Sequence, residues 1–175
     1  VISAGRFVTK KGFHDLIKAA EQLQKDNFPV QIELFGSGPL EANLRKKINN
    51  LSLKNIQLVG WTENLHDEFR KADVFCIPSL EEPFGLIIGE AMINGLPVIT
   101  TKTDGAIEIF GTEPERKGAI YIDFSSSYQI KNAIQAISDN EKRYLLAKNA
   151  QDNINANFSL EKLSRKLRDL FENAD

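Results

Sequence analysis

The chain has 175 residues, 42% hydrophobic and 26% charged, with a formal net charge of −2. That length bounds a single domain of ordinary size, one able to bury roughly 70% of its unfolded surface. The near-neutral balance and the lack of a long basic run exclude a nucleic-acid face, and no apolar run reaches the roughly 18 residues that a membrane span requires. No signal-peptide pattern opens the sequence. Its one cysteine, Cys76, has no internal partner and sits in an apolar run, so it reads as a buried structural thiol, compatible with a reducing compartment.

The first residues, Val1-Ile2-Ser3-Ala4-Gly5, form a short strand without a leading methionine, as expected of a domain cut from a longer protein. A loop over Phe7–Gly12 leads to a helix in which Phe13, Leu16, Ile17, Ala20 and Leu23 recur at helical spacing. Val30–Leu34 alternates as a strand and ends in Gly36-Ser37-Gly38-Pro39. Leu40, Leu44 and Ile48 mark a second helix, Ile56–Val59 a third strand, and Thr62 a cap for a helix carrying Leu65, Phe69 and Ala72. Val74–Ile77 reads as a buried strand closed by Pro78, and Pro97–Thr100 as a fifth. After it come a polar loop over Thr101–Gly105, a short apolar turn over Ala106–Phe110, a charged solvent loop over Glu113–Lys117 and a sixth strand, Ala119–Ile122. The remainder is helical: Ile130, Ala133, Ile134 and Ile137 on one helix, a stretch around Tyr144–Ile154, and Leu163, Leu167, Leu170 and Phe171 on a last one.

Strands alternating with helices predict an α/β fold: a Rossmann-like, doubly wound parallel sheet of six strands with helices on both faces and a helical C-terminal tail. In such sheets ligands bind outside the carboxyl ends of the strands, where strand order reverses. The breaks at Gly5-Arg6, Gly36-Ser37-Gly38, Gly60-Trp61, Ser79–Gly85 and Thr101–Gly105 all fall on that edge, which predicts one crevice.

The most informative stretch runs from Glu81 to Ile99 as loop, short helix and strand. Gly85 stands at the loop-to-helix junction, where a missing Cβ admits a ligand close to the backbone. The first N–H groups of that helix lack intrahelical partners and suit an anion such as phosphate. Glu82 in the loop and Glu90 in the helix bracket those amides, an arrangement fit for a ligand with both hydroxyls and phosphate. Before it, Gly5-Arg6 through Lys11-Gly12 sets two cations five residues apart in one loop, able to hold a diphosphate by charge-assisted hydrogen bonds.

Glu82-Pro83-Phe84-Gly85-Leu86, Glu90-Ala91-Met92 and Gly95-Leu96-Pro97-Val98-Ile99 together resemble the signature of the retaining glycosyltransferases of family 4, found in the C-terminal, nucleotide-sugar-binding half of their GT-B fold. The five-residue string sets the register on Glu82 rather than Glu81. The resemblance implies that the whole chain, 1–175, is one donor-binding domain whose N-terminal acceptor domain lies elsewhere in the same polypeptide. The full enzyme would then move a sugar from a nucleoside diphosphate, with UDP or GDP expected, to an acceptor glycan or glycolipid in polysaccharide or glycolipid synthesis. It would act in the cytoplasm, at the inner face of the membrane if attached to one. The isolated domain would be inactive. The same resemblance carries the phosphate-gripping role onto Arg6 and Lys11, ribose binding onto Glu90, orientation of the transferred sugar onto Glu82, and sugar or distal-phosphate contacts onto the amides of Phe84, Gly85 and Leu86. On these roles, neutralising Glu82 leaves binding of the bare diphosphate unchanged. Gly36-Ser37-Gly38 resembles the family's turn lining the nucleotide pocket.

Trp61 stands either beside the nucleobase or as a core or rim residue. The bland alternative for the two carboxylates is that Glu82 caps the helix and Glu90 is simply exposed. His14 and His66 fall on helices without metal-ligand company, and no Asp-x-Asp element follows a strand, so neither metal nor cofactor is expected. A nucleotide-sugar sensor without transfer activity would share the crevice. A dinucleotide-dependent oxidoreductase would need a Gly-x-Gly-x-x-Gly after the first strand, which is missing.

Overall fold

A computed structural model of the chain describes residues 1–158 and 162. Strands β1 (Ile2–Ala4), β2 (Ile32–Phe35), β3 (Ile56–Gly60), β4 (Phe75–Ile77), β5 (Val98–Thr101) and β6 (Ala119–Ile122) alternate with helices. These are α1 (Phe13–Lys25), α2 (Glu41–Asn50), α3 (Leu65–Lys71), α4 (Leu86–Ile93), α5 (Asp104–Phe110), α6 (Ser127–Ile137) and α7 (Asn140–Asn157). The strands pair in parallel in the order β3-β2-β1-β4-β5-β6. Parallel neighbours cannot be joined by tight turns, and the helices supply the crossovers. Strand order reverses between β1 and β4, which puts the switch point beside the loops that follow those two strands.

The pleat divides the core into two layers. Around β4, Val74 and Cys76 point into a cluster with Phe13, Leu16 and Ile17 of α1 and Ile130 and Ile134 of α6. Phe75 and Ile77 point the other way, into a cluster with Ile88 and Met92 of α4 and Ile154 of α7. Burial pushes the Cys76 thiol up to about 12. On the first face α1 and α6 are also tied by Lys131 donating to Asp26 at 2.7 Å. Among the described residues no helix is long and apolar enough to cross a membrane.

Local differences from the sequence reading have identifiable causes. Thr62 does not cap α3; the helix starts after Asn64, whose N–H donates to the Thr62 hydroxyl at 3.2 Å and makes a turn ahead of the helix. The apolar residues 106–110 are the body of α5, which already begins at Asp104, and Ala106, Ile109 and Phe110 are buried at helical spacing. Residues 114–117 form a single 3-10 turn closed by Gly118 at φ 92°. The stretch around Tyr144 is the interior of the 18-residue α7. The expected last helix, with Leu163, Leu167, Leu170 and Phe171, lies outside the described residues.

Candidate functional site

The loop after β1 is anchored by Phe7, which is fully buried and meets Phe13 edge to face at 5.3 Å. That anchor leaves its neighbour Arg6 exposed, its side chain without a hydrogen bond or ion pair among the described residues. The loop after β2 lies directly on it: Phe7 N–H donates to Ser37 O at 2.8 Å, and Leu40 N–H donates to Phe7 O at 3.0 Å. This approach is what demands the glycines. A Cβ on Gly36 would stand 1.9 Å from Gly5 O, and one on Gly38 would stand 2.7 Å from both Phe7 N and Phe7 O. Gly36 and Gly38 therefore join two loops, a packing role in addition to the pocket lining expected of them.

Between these loops and α3 and α4 opens a crevice of about 510 Å³, lined by Ala4, Gly5, Arg6, Phe35, Gly36, Ser37, Gly38, Trp61, Thr62, Leu65 and Ile87. Its walls are apolar at Phe35, Leu65 and Ile87, and among the described residues Arg6 is its one charged lining residue. Trp61 is 69% exposed, which makes it a rim residue rather than a core one. Lys11 reaches the same place from the other end of its loop: its aliphatic stem lies against Gly5, within 3.5 Å of where a Cβ there would stand.

The loop after β4 is fixed from both sides. Leu80 N–H donates to Lys10 O at 2.7 Å, the Thr101 hydroxyl donates to Ser79 O, and Gly105 N–H donates to Glu82 O at 2.8 Å. Lys11 Nζ forms an ion pair with Glu82 Oε2, and both side chains are largely withdrawn from water, at 16% and 14% exposure. Next to it Lys10 and Glu81 face each other at 3.7 Å on the surface. Gly85, at φ 65°, is the N-cap of α4, and no side chain caps that helix, so Glu82 is not a helix cap. Phe84 and Leu86 are exposed. Glu90 is exposed one turn beyond Ile87, on the same side of α4, without itself lining the crevice. The Asn94 side-chain amide meets His66 Nδ1 at 2.8 Å and ties α4 to α3 just beyond Glu90.

The fold thus brings Arg6, Gly36, Ser37, Gly38 and Trp61 into one crevice, with Lys11 and Glu82 paired at its β4 side. Phe84, Gly85, Leu86 and Glu90 follow on the next loop and helix. Sequence reasoning did not identify Phe35, Leu65 and Ile87 as crevice walls, since an apolar residue at helix or strand spacing carries no mark of which surface it faces. It also missed the Lys11–Glu82 pair, which joins positions 71 residues apart. Among the described residues no three His, Cys, Asp or Glu side chains gather as a metal site.

Residues 1–153 match the family model described as glycosyl transferases group 1. The chain is 31% identical over 166 residues to the lipopolysaccharide core biosynthesis glycosyltransferase LpsE of Rhizobium meliloti, covering 94% of this chain and 47% of that protein. In fold it is similar to Anabaena Alr3699/HepE, crystallised in complex with UDP and glucose, with a TM-score of 0.84 at 23% identity over 98% of this chain and 48% of that one. It is likewise similar to the C-terminal domain of the glycosyl transferase group 1 family protein LpcC of Francisella tularensis, with a TM-score of 0.80 at 24% identity over 91% of this chain and 86% of that one. The chain spans about half the length of the curated relatives it matches.

Proposed function

The chain belongs to the glycosyl transferases group 1 family, and from that premise we propose that it is the donor-binding half of a retaining glycosyltransferase acting on a nucleoside-diphosphate sugar. The observation that carries this reading is the crevice at the β1/β4 switch point, where Arg6 stands free above apolar walls and Lys11 leans over Gly5. Apolar walls suit a nucleoside, and the two cations suit its diphosphate. Glu90, one turn beyond the wall residue Ile87, is in register for ribose hydroxyls, which a carboxylate accepts through two oxygens. Glu82 stands on the far side of Lys11, where the sugar beyond the second phosphate belongs.

Catalysis on this reading is electrostatic. As the bond from sugar to phosphate breaks, charge builds on the departing diphosphate. Lys11 (held by Glu82), the free amides at the start of α4 and the Arg6 guanidinium would receive it. The structural relative crystallised with UDP and glucose supports UDP as the nucleotide, and the lipopolysaccharide-core relative supports a glycan or glycolipid acceptor in cell-surface polysaccharide synthesis. A separate N-terminal half would hold the acceptor and close over the donor, and the isolated domain would bind nucleotide without transferring sugar. The reaction would take place in the cytoplasm.

A thermal-shift screen with UDP, GDP, ADP and NAD tests the reading. A rise in melting temperature with one nucleoside diphosphate and none with NAD supports it. Stabilisation by NAD alone, or by no nucleotide, refutes it.

A further inference from the structure

Lys11 does not wait for phosphate with its charge free. It is already paired with Glu82, and the pair is mostly screened from water, so its charges act on one another and on any ligand more strongly than surface charges would. Only Oε2 of Glu82 takes part, and among the described residues Oε1 accepts no hydrogen bond. A ligand phosphate that reaches Lys11 therefore comes under the field of a carboxylate as well as of an ammonium group.

The two ligands that such a site must tell apart differ at this point. In an intact nucleotide sugar the distal phosphate is a diester with one negative charge, and the sugar beyond it offers hydroxyl donors. In the bare nucleoside diphosphate left after transfer, the same phosphate is terminal and carries about −1.5 to −2 near neutral pH. We propose that Glu82, by sharing Lys11, makes the site select the intact nucleotide sugar over the bare diphosphate. The carboxylate repels the more highly charged terminal phosphate and offers Oε1 to a hydroxyl that only the sugar can supply. Glu82 is then a specificity-determining residue that favours loss of the product. This rests on the donor-binding reading above, and it replaces the sequence-based expectation that neutralising Glu82 leaves bare diphosphate binding unchanged.

The test is calorimetric titration of the wild type, Glu82→Gln and Glu81→Gln with UDP, GDP and ADP and with the glucose ester of each. One additional ligand charge beside a half-buried carboxylate changes affinity on the order of tenfold. Glu82→Gln should bind the bare diphosphate about tenfold more tightly than the wild type while its affinity for the glucose ester holds or falls. Glu81, whose partner Lys10 lies 3.7 Å away on the surface, should behave as the wild type when neutralised. Where the amide variant does not fold, Glu82→Met, which also removes the charge, takes its place. If the neutral variant binds bare diphosphate more weakly, or strengthens both ligands equally, the inference falls and Glu82 only positions Lys11. If the wild type binds none of the six ligands, the donor-binding reading itself falls.

Discussion

Replacing Gly36 by alanine strikes at the packing that builds the crevice. The new Cβ would stand 1.9 Å from the carbonyl oxygen of Gly5, and the backbone would have to keep φ at +137°. Gly60 is the natural control: its φ is +105°, yet a Cβ there meets nothing within 4 Å. Backbone strain in such regions costs about 1–3 kcal/mol, and forced overpacking adds about 1–3 kcal/mol. Gly60→Ala is therefore expected to destabilise the domain by the first amount alone, and Gly36→Ala by roughly 2–6 kcal/mol, a large part of the ~5–15 kcal/mol that holds a typical domain together. Urea unfolding followed by far-ultraviolet circular dichroism measures both, because the single tryptophan, Trp61, is too exposed to report on the core. Equal costs at the two positions would mean that the loops after β1 and β2 are not pressed together as described.

Three further outcomes follow from the same geometry. Arg6→Ala and Lys11→Ala should each weaken nucleoside-diphosphate binding about tenfold or more, since a charge-assisted bond contributes about 1.5–3 kcal/mol, whereas Lys10→Ala should change it little; equal small effects in titration would reduce the segment to a surface loop. Burial holds the Cys76 thiol at about 12, so it should not react with a thiol reagent at pH 8 until denaturant unfolds the chain; fast labelling of the native protein would contradict its place in the sheet. Burial pushes the His14 imidazole down, with Lys47 and Lys18 adding to the effect and Asp15 opposing it. A depressed pKa makes the neutral form the native one, so its stabilisation is present above the unfolded value and is lost as pH falls below about 6.5. The melting-temperature difference between His14→Gln and the wild type should therefore move in favour of the variant from pH 7.5 to pH 5, and a constant difference would argue against it.

The sheet was legible because its signals are local. Apolar runs such as Val74–Ile77, the Gly-rich breaks after the strands and the helical spacing of Phe13, Leu16, Ile17, Ala20 and Leu23 each lie within a few residues, and the alternation of types then dictates parallel pairing. The helix α5 was not legible, because Ala106, Ile109 and Phe110 give barely one turn of periodicity and its start at Asp104 lies inside what reads as a polar loop. In the site, the cation after the first strand and the Gly-rich break after the second marked Arg6, Gly36 and Gly38, because such breaks fall on the carboxyl edge of the sheet. The reason for the glycines, contact between two loops, emerges only when Gly5 and Phe7 are seen beneath them. The Lys11–Glu82 pair depends on β1 and β4 being neighbours, a fact of strand order that no local spacing encodes.

The most direct measurement is a crystal structure of this chain grown with the nucleoside diphosphate selected in the thermal screen. The diphosphate should lie beside Arg6 and Lys11, the base between Phe35, Leu65 and the Trp61 rim, and the ribose within hydrogen-bonding reach of Glu90. A nucleotide bound elsewhere, such as the hollow beside Phe28, Pro29 and Lys54 at the opposite end of the sheet, or one seated in the crevice with its phosphates turned away from Arg6, would contradict this placement.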